Sequence, residues 1–331
     1  MRNFRLSAAE WRNLLISVGV FVLAAIIPEV ADGYPLQIAI SIVMYTVLAT
    51  SWLLFSGPTN YIALSTAAFF GIGMYITAGG IDLLPYPVLI LVSGIAGAVM
   101  AAIVGLATLR VSGVYFVIFS LGLAELVRQF MTWGQHVLGT MSGLYVTIDR
   151  SEQMYYWQLL LLAAAVYLVG WRIGRSRLGF ALRIIGNDEL VAVHCGINTA
   201  RAKVVLFVIS SAFASIAGAV IAPRWGYVEP GVAFNLSLSF QVVIMALLGG
   251  THRLWGPLVG VIPFVLLWEL INIEFPNQTT LLLGVSFLLI VYVIPNGITG
   301  LIEDALKRRA KSTNPAPSTV QAPLPQESQN A

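Results

Sequence analysis

The chain has 331 residues, of which 58% are hydrophobic and only 10% charged, and its mean hydropathy is +0.85. Soluble domains carry about 25% charged and about 45–50% apolar residues, so a water-soluble globule is excluded and a polytopic membrane protein is expected. The formal net charge of +3 says little as a total, whereas the placement of the charges is informative.

The lone cysteine, Cys195, excludes an internal disulfide and any cysteine-based metal cluster. His136, His194 and His252 are far apart and none stands at ligand spacing from a carboxylate, so no metal site is expected. The phosphate-cradling G-x-x-x-x-G-K-[ST] loop is missing, and so are the G-x-S-x-G elbow and the dinucleotide glycine pattern. The chain is therefore read as a non-enzyme with no ATPase site and no cofactor of its own. Nothing in it points to a nucleic-acid partner.

Ten apolar stretches read as membrane-spanning helices, about residues 13–29, 36–55, 61–79, 86–109, 113–132, 155–173, 203–222, 236–249, 255–273 and 279–295. Most approach the roughly 20 residues that cross about 30 Å of hydrocarbon. The eighth is the shortest; either the preceding residues extend it or it is a broken segment buried in protein. Residues 1–30 imitate a signal peptide, with Arg2, Arg5 and Arg12 ahead of an apolar run. An uncleaved first span is the better reading, because the run is long, Pro28-Glu29 ends it and no A-x-A site follows.

With ten spans the basic residues sort cleanly. Fifteen fall on one side: Arg2, Arg5, Arg12, Arg110, Arg172, Arg175, Arg177, Arg183, Arg201, Lys203, Arg253, Lys307, Arg308, Arg309 and Lys311. Arg150 and Arg224 fall on the other, and Arg128 lies within a span. Both termini are thus expected to be cytoplasmic. The permease domain is expected over 1–302. A Pro/Ser/Gln-rich disordered cytoplasmic tail is expected over 303–331, too poor in apolar residues to offset its ordering entropy.

Small residues set the expected packing. Ser93, Gly97, Ala101 and Gly105 recur every four residues in the fourth span, a smooth face for a neighbouring backbone. Gly256 and Gly260 open the ninth span, and Ser210, Ser211, Ala214 and Gly218 lie in the seventh. Packing within the chain is the plainer expectation and a subunit interface the alternative. The segments F-S-G-P-T-N-Y-I-A-L (55–64) and L-G-G-T-H-R-L-W-G-P-L (248–258) look alike, as short internal repeats in transporters do.

The only long cytoplasmic loop, about 172–203, holds six basic residues. Within it, residues 186–198 read as one short helix. Asn187 is suited to its N-cap, Asp188 and Glu189 to the positive end of its dipole, and Gly196 to a left-handed C-terminal position. Leu190, Val191 and Val193 form an apolar side beside the small Ala192. So short a helix must lie on something: either its own protein or a cytoplasmic partner. In the fifth span Glu125 and Arg128 are three apart and can pair. They serve either as a structural pair or as part of a substrate path, since an unpaired charge at the bilayer centre costs about 2.5–3.5 kcal/mol. Glu269, in the ninth span, is open to the same two readings. The outer stretch G-T-M-S-G-L (139–144) reads as a turn or as the lining of an entrance.

Four stretches carry a family resemblance: A-A-F-F-G-I-G-M-Y (67–75), S-R-L-G-F-A-L-R-I-I-G-N-D-E-L-V-A-V-H-C-G-I-N (176–198), F-V-I-S-S-A-F-A-S-I-A-G-A-V (207–220) and L-L-G-G-T-H-R-L-W-G-P-L-V-G (247–260). Together they resemble the permease subunits of branched-chain amino acid ABC importers of the LivM type. The likeness covers nearly the whole chain except the tail. It implies an all-α ABC importer permease fold in a bacterial inner membrane. It also implies a second homologous permease, two cytoplasmic ATP-binding subunits that hydrolyse the ATP, and a periplasmic substrate-binding protein. Asn187, Asp188, Glu189, Ala192 and Gly196 would then belong to the coupling helix that seats in the ATPase. Members commonly carry G-Q-L-S-L-G-H-A where this chain has Asn60-Tyr61-Ile62-Ala63-Leu64-Ser65-Thr66-Ala67. Asn60, Tyr61, Ser65, Thr66, Glu125 and Arg128 are the candidate path residues, and a branched-chain or related amino acid is the expected substrate; if the 60–67 segment lines the path, its departure points away from leucine, isoleucine and valine. Urea or a small organic or aromatic acid is the alternative. An ion-coupled secondary transporter is the competing mechanism, although the groups available to it, Glu125, Arg128 and Glu269, all lie off-centre.

Overall fold

In the computed structural model, the described residues are 19–29, 32–109, 113–137, 143–147, 151–251, 253–293 and 297–300. The basic start (Arg2, Arg5, Arg12), Arg110, Arg150, His252, residues 139–142 and the tail lie outside them. The elements are α1 (Gly19–Glu29), α2 (Tyr34–Thr59), α3 (Thr66–Gly80), α4 (Tyr86–Thr108), α5 (Val114–Val137), β1 (Leu144–Tyr145), α6 (Glu152–Arg175), α7 (Arg177–Asn187), α8 (Glu189–His194), α9 (Thr199–Trp225), β2 (Tyr227–Val228), α10 (Pro230–Ala233), α11 (Leu236–Gly249), α12 (Gly256–Glu274) and α13 (Thr279–Val293).

Among the described residues, seven helices are long and apolar enough to cross a membrane: α2, α4, α5, α6, α9, α12, and α10 with α11 taken together. The other three expected spans fall on α1, α3 and α13, which are shorter. The third span departs most from expectation. Residues 61–65 lie outside any helix, and the 15-residue α3 starts only at Thr66. Pro58 in the last turn of α2 and Asn60 at φ 56° end the preceding helix abruptly. The eighth span is the broken, buried segment that its length suggested. Asn235 accepts from the Ser237 amide at 2.9 Å and restarts the helix after the four-residue α10. A purely helical fold needs a small correction, because β1 and β2 form an antiparallel ladder pairing Leu144 with Val228 and Tyr145 with Tyr227.

The centre is built from α2, α3 and α9. Helix α2 has 17 of its 26 residues buried, whereas α5 has five of 24 and belongs to the periphery. Inside α2 the hydroxyls of Thr46, Ser51 and Thr59 bond back to the carbonyls of Ile42, Leu48 and Phe55 at 2.7, 2.9 and 2.6 Å, so these polar groups cost little where they are buried.

Small residues bring the central backbones together, as the expected stripe predicts. Ser93, Gly97, Ala101 and Gly105 are all buried on α4. Gly97 faces α9 so closely that a Cβ there would lie 2.5 Å from that of Ser215, whose hydroxyl donates to Ser93 O at 2.7 Å. Three residues further along α9, a Cβ on Gly218 would fall 1.9 Å from Phe70 O in α3. Gly260 of α12 meets Met245 O of α11 in the same way, at 2.1 Å. The two look-alike segments lie against each other, since a Cβ on Gly57 would be 3.5 Å from Thr251 O. These contacts are all within the chain.

At Gly218 the obstacle is a backbone carbonyl, so adding a side chain forces two helices apart, at a cost of about 1–3 kcal/mol or more. Gly218→Val should therefore lower the thermal unfolding midpoint of the detergent-solubilised protein. Gly122→Val on α5, with open space around it, should not. Equal midpoints for the two variants would refute this packing.

Candidate functional site

The loop between α6 and α9 folds as two helices rather than one. Ser176 caps α7, its hydroxyl accepting from the Gly179 amide at 3.2 Å. Asn187 is the last residue of α7 rather than the cap of α8. The cap is Asp188, whose carboxylate accepts from the Leu190 and Val191 amides at 2.8 and 3.3 Å. Asn187 and Asp188 are comparable caps, and Asp188 takes the role because Asn187 is still held in the last turn of α7. At the other end Gly196 takes φ 76° as expected. The amides of Ile197 and Gly196 bond the carbonyls of Ala192 and Val193 at 3.0 and 2.9 Å, a Schellman closure. Six residues are thus fixed at both ends. Ala192 faces the protein at 0% exposure, while Leu190, Val191 and Val193 are 71%, 50% and 54% exposed.

This loop is stapled to the corner between α2 and α3. Asn60 donates from Nδ2 to Gly186 O at 2.8 Å. Beside it stands Lys203, on α9, with its side chain only 2% exposed. Its Nζ lies 2.5 Å from Glu189 Oε1 and donates to Tyr61 Oη at 2.9 Å. The Tyr61 hydroxyl in turn donates to Glu189 Oε2 at 3.2 Å. A buried ammonium is tolerable only when paired in this way. Partial burial alone would raise the Glu189 carboxyl; the hydrogen bond and charge of Lys203, with the Tyr61 and Thr199 hydroxyls, outweigh it and hold the group below its ordinary value.

Past Tyr61 the non-helical chain runs back beside the end of α2. Its polar backbone groups find side-chain partners: Trp52 Nε1 donates to Ala63 O at 2.7 Å, and the Leu64 amide donates to Ser120 Oγ at 2.9 Å. The Ala67 amide, in the first turn of α3, donates to Ser239 Oγ at 2.9 Å. Ser65 and Thr66 are buried here.

The opposite end of the molecule is organised differently. Tyr34 donates to Glu269 at 2.6 Å and Gln37 to Glu152 at 3.2 Å, which ties α2 to α12 and α6. Glu125 and Arg128 do pair: Nε donates at 2.9 Å and a terminal guanidinium nitrogen at 2.5 Å. Arg128 also lines a polar cavity of about 280 Å³ with Gln135, His136, Gly143, Tyr227 and Glu229. The two readings of this pair are therefore compatible, and Gly143 lines the same cavity. A larger cavity of about 790 Å³, between α1, α2, α6 and α12, is mostly apolar.

The candidate path residues thus separate. Asn60 and Tyr61 join the loop helices at one end, Ser65 and Thr66 sit at the start of α3, and Glu125 and Arg128 are at the other end. The sequence reading missed Lys203, counted only as one more loop charge. Its signal was a lysine at the second position of an apolar helical run, A-K-V-V-L-F (202–207).

Residues 34–294 match the family model described as "Branched-chain amino acid transport system / permease component". The chain belongs to this family. It is 25% identical to the high-affinity branched-chain amino acid transport system permease protein LivM of Escherichia coli, over 89% of this chain and 77% of that one. It is 27% identical to the LivH permease of the same system in that organism, over 50% of this chain and 53% of LivH. A shorter likeness, 25% identity over 41% of this chain and 43% of the relative, links it to the ribose import permease RbsC of Haemophilus influenzae. No solved structure matches. The family and the seven long apolar helices together make this a multi-pass membrane permease.

Glu189 carries a pH signature. Because its folded value is depressed, its contribution to stability is full above the ordinary carboxylate value, about 4.3, and is lost as pH falls through the folded one. The stability advantage of wild type over Glu189→Gln should shrink as pH is lowered past about 4; an advantage constant down to acid unfolding would refute the ion pair. For the other pair, Glu125→Gln alone should damage stability more than Glu125→Gln with Arg128→Gln. Strictly additive losses in such a cycle would mean the two side chains do not interact.

Proposed function

We propose that this chain is the membrane-spanning permease subunit of an ATP-driven importer for branched-chain or related amino acids, delivered by a periplasmic binding protein. One observation carries the reading: a six-residue helix capped at both ends presents Leu190, Val191 and Val193 to the outside while Ala192 anchors it. Isolated apolar side chains are common on surfaces, but a rigid cluster mounted on a loop whose sequence also carries Arg177, Arg183 and Arg201 suits a protein groove better than water. The LivM and LivH names of its relatives support the substrate class and a second, homologous permease.

In this reading α8 is the coupling helix, with Asp188, Glu189, Ala192 and Gly196 shaping it and Asn187 ending the helix before it. It seats in one of two cytoplasmic ATP-binding subunits. The strongly basic side, including both termini, faces the cytoplasm of a bacterial inner membrane. No cofactor belongs to this chain; nucleotide chemistry is left to the partners. The polar cavity around Arg128 is at the outer end, where a periplasmic protein would deliver substrate. Its mixed charges, Arg128 and Glu229, suit a zwitterion better than the apolar cavity does. Selection among amino acids, urea and small organic acids rests largely with the binding protein.

The test is purification of the tagged chain from its native host in mild detergent, with mass spectrometry of what accompanies it. Two subunits with phosphate-cradling ATPase loops and a second permease are expected, and Leu190→Glu with Val193→Glu should remove the ATPases while leaving the permease pair. Recovery of the chain alone would overturn the reading and favour an ion-coupled transporter, and an unchanged complex in the double variant would overturn α8 as the docking helix.

A further inference from the structure

We propose that Lys203 and Tyr61 form the joint through which movement of α8 is passed to the membrane helices. The inference rests on α8 being the docking helix, and it concerns what lies behind that helix rather than what lies in front.

Three elements that are remote in sequence meet at one ammonium. Glu189 belongs to α8, Tyr61 to the non-helical segment that feeds α3, and Lys203 to α9. The Lys203 side chain is almost fully enclosed and its Nζ sits 4.2 Å from the Tyr61 ring centroid. The enclosed ammonium is held by Glu189 and Tyr61, and although the Glu189 side chain is 40% exposed, parting it from Lys203 would leave a buried charge short of its counter-ion, so displacement of α8 pulls on Lys203 and Tyr61.

Tyr61 also faces inward. Its ring packs edge-on against Phe116 of α5, with 5.5 Å between centroids. Phe116 touches Phe55 of α2 and Phe207 of α9 at 5.7 and 6.2 Å, and Phe207 touches Phe69 of α3 at 5.5 Å. One phenol thus has its hydroxyl in the loop network and its ring in an aromatic cluster drawn from four helices. Lys203 belongs to the helix whose small residues lie against α3 and α4, so a push on α8 reaches α3 by two routes. Close-packed interiors pass such a displacement on rather than absorb it.

The alternative role for the same contacts is to hold the fold together and nothing more. Tyr61→Phe separates the two, because it keeps the ring on Phe116 and removes only the hydroxyl. Lys203→Met is the second variant, similar in volume; it leaves α8 itself unchanged, and Glu189, whose side chain is 40% exposed, stays solvated. Both are made in the full complex with Cys195→Ser, which removes the native thiol, and with Thr132→Cys as a reporter at the polar cavity of the far end.

In the parent complex, trapping nucleotide with vanadate should change the rate of maleimide modification at Thr132→Cys. In both variants the ATPases should remain bound and continue hydrolysing ATP, while the nucleotide-dependent change in rate falls about tenfold or more, as expected for losing a hydrogen bond to a charged group. An undiminished change in either variant would overturn the joint. So would the absence of any change in the parent complex, or loss of the ATPases from Tyr61→Phe, which would make Tyr61 part of docking. Failure of the ATPases to accompany the parent chain at all would instead overturn the docking reading.

Discussion

A backbone that leaves helical geometry inside a membrane protein must find every hydrogen bond from its neighbours, because hydrocarbon offers none. That constraint governs residues 60–65. Trp52 and Ser120 supply partners for the non-helical chain, and Ser239 supplies one for the first turn of α3. These come from α2, α5 and α11, so the three helices cannot change their relation to the segment without exposing a donor or an acceptor. The break in the third span is thereby a point where the surrounding helices are registered against one another.

The two ends of the molecule use charge in contrasting ways. Near α8 the ammonium of Lys203 is enclosed, fixed by one carboxylate and one phenol. At the opposite end Arg128 is held by Glu125 but remains partly open, with side-chain exposures of 35% and 39%, and borders a polar cavity. An enclosed charge suits a part that must not slip. A half-open one can exchange partners with a passing polar molecule at modest cost. The division accords with the proposed function, in which one end docks a partner and the other receives substrate.

Much of this was legible in the sequence. Apolar run length placed the long helices, and the four-residue spacing of Ser93, Gly97, Ala101 and Gly105 identified the face of α4 that meets α9. The left-handed end of α8 followed from Gly196. What the sequence hid depended on contacts distant along the chain. A non-helical segment of apolar and small residues, Tyr61-Ile62-Ala63-Leu64, reads as helix until Trp52 and Ser120 are known to be nearby. Asn187 and Asp188 are both good caps, and only the end of α7 decides between them. Lys203 counted as a cytoplasmic charge because nothing local reveals that Tyr61, 142 positions away, closes over it. The pairing of Glu125 with Arg128 was readable from their spacing, whereas the cavity beside them required Tyr227 and Glu229 from a different part of the chain.

The enclosure of α2 has a consequence for how the protein meets its lipid. With 17 of its 26 residues buried, this helix has little hydrocarbon beside it, so the thickness of the bilayer scarcely acts on it. Thickness acts instead on α4, α5 and α12, which expose side chains such as Leu91, Leu126 and Leu270. A hydrophobic mismatch tilts or shifts those outer helices, and α4 relays the strain to α9 through the glycine and serine contacts that let the two backbones touch. A thicker or thinner membrane therefore reaches the centre of this protein only at second hand.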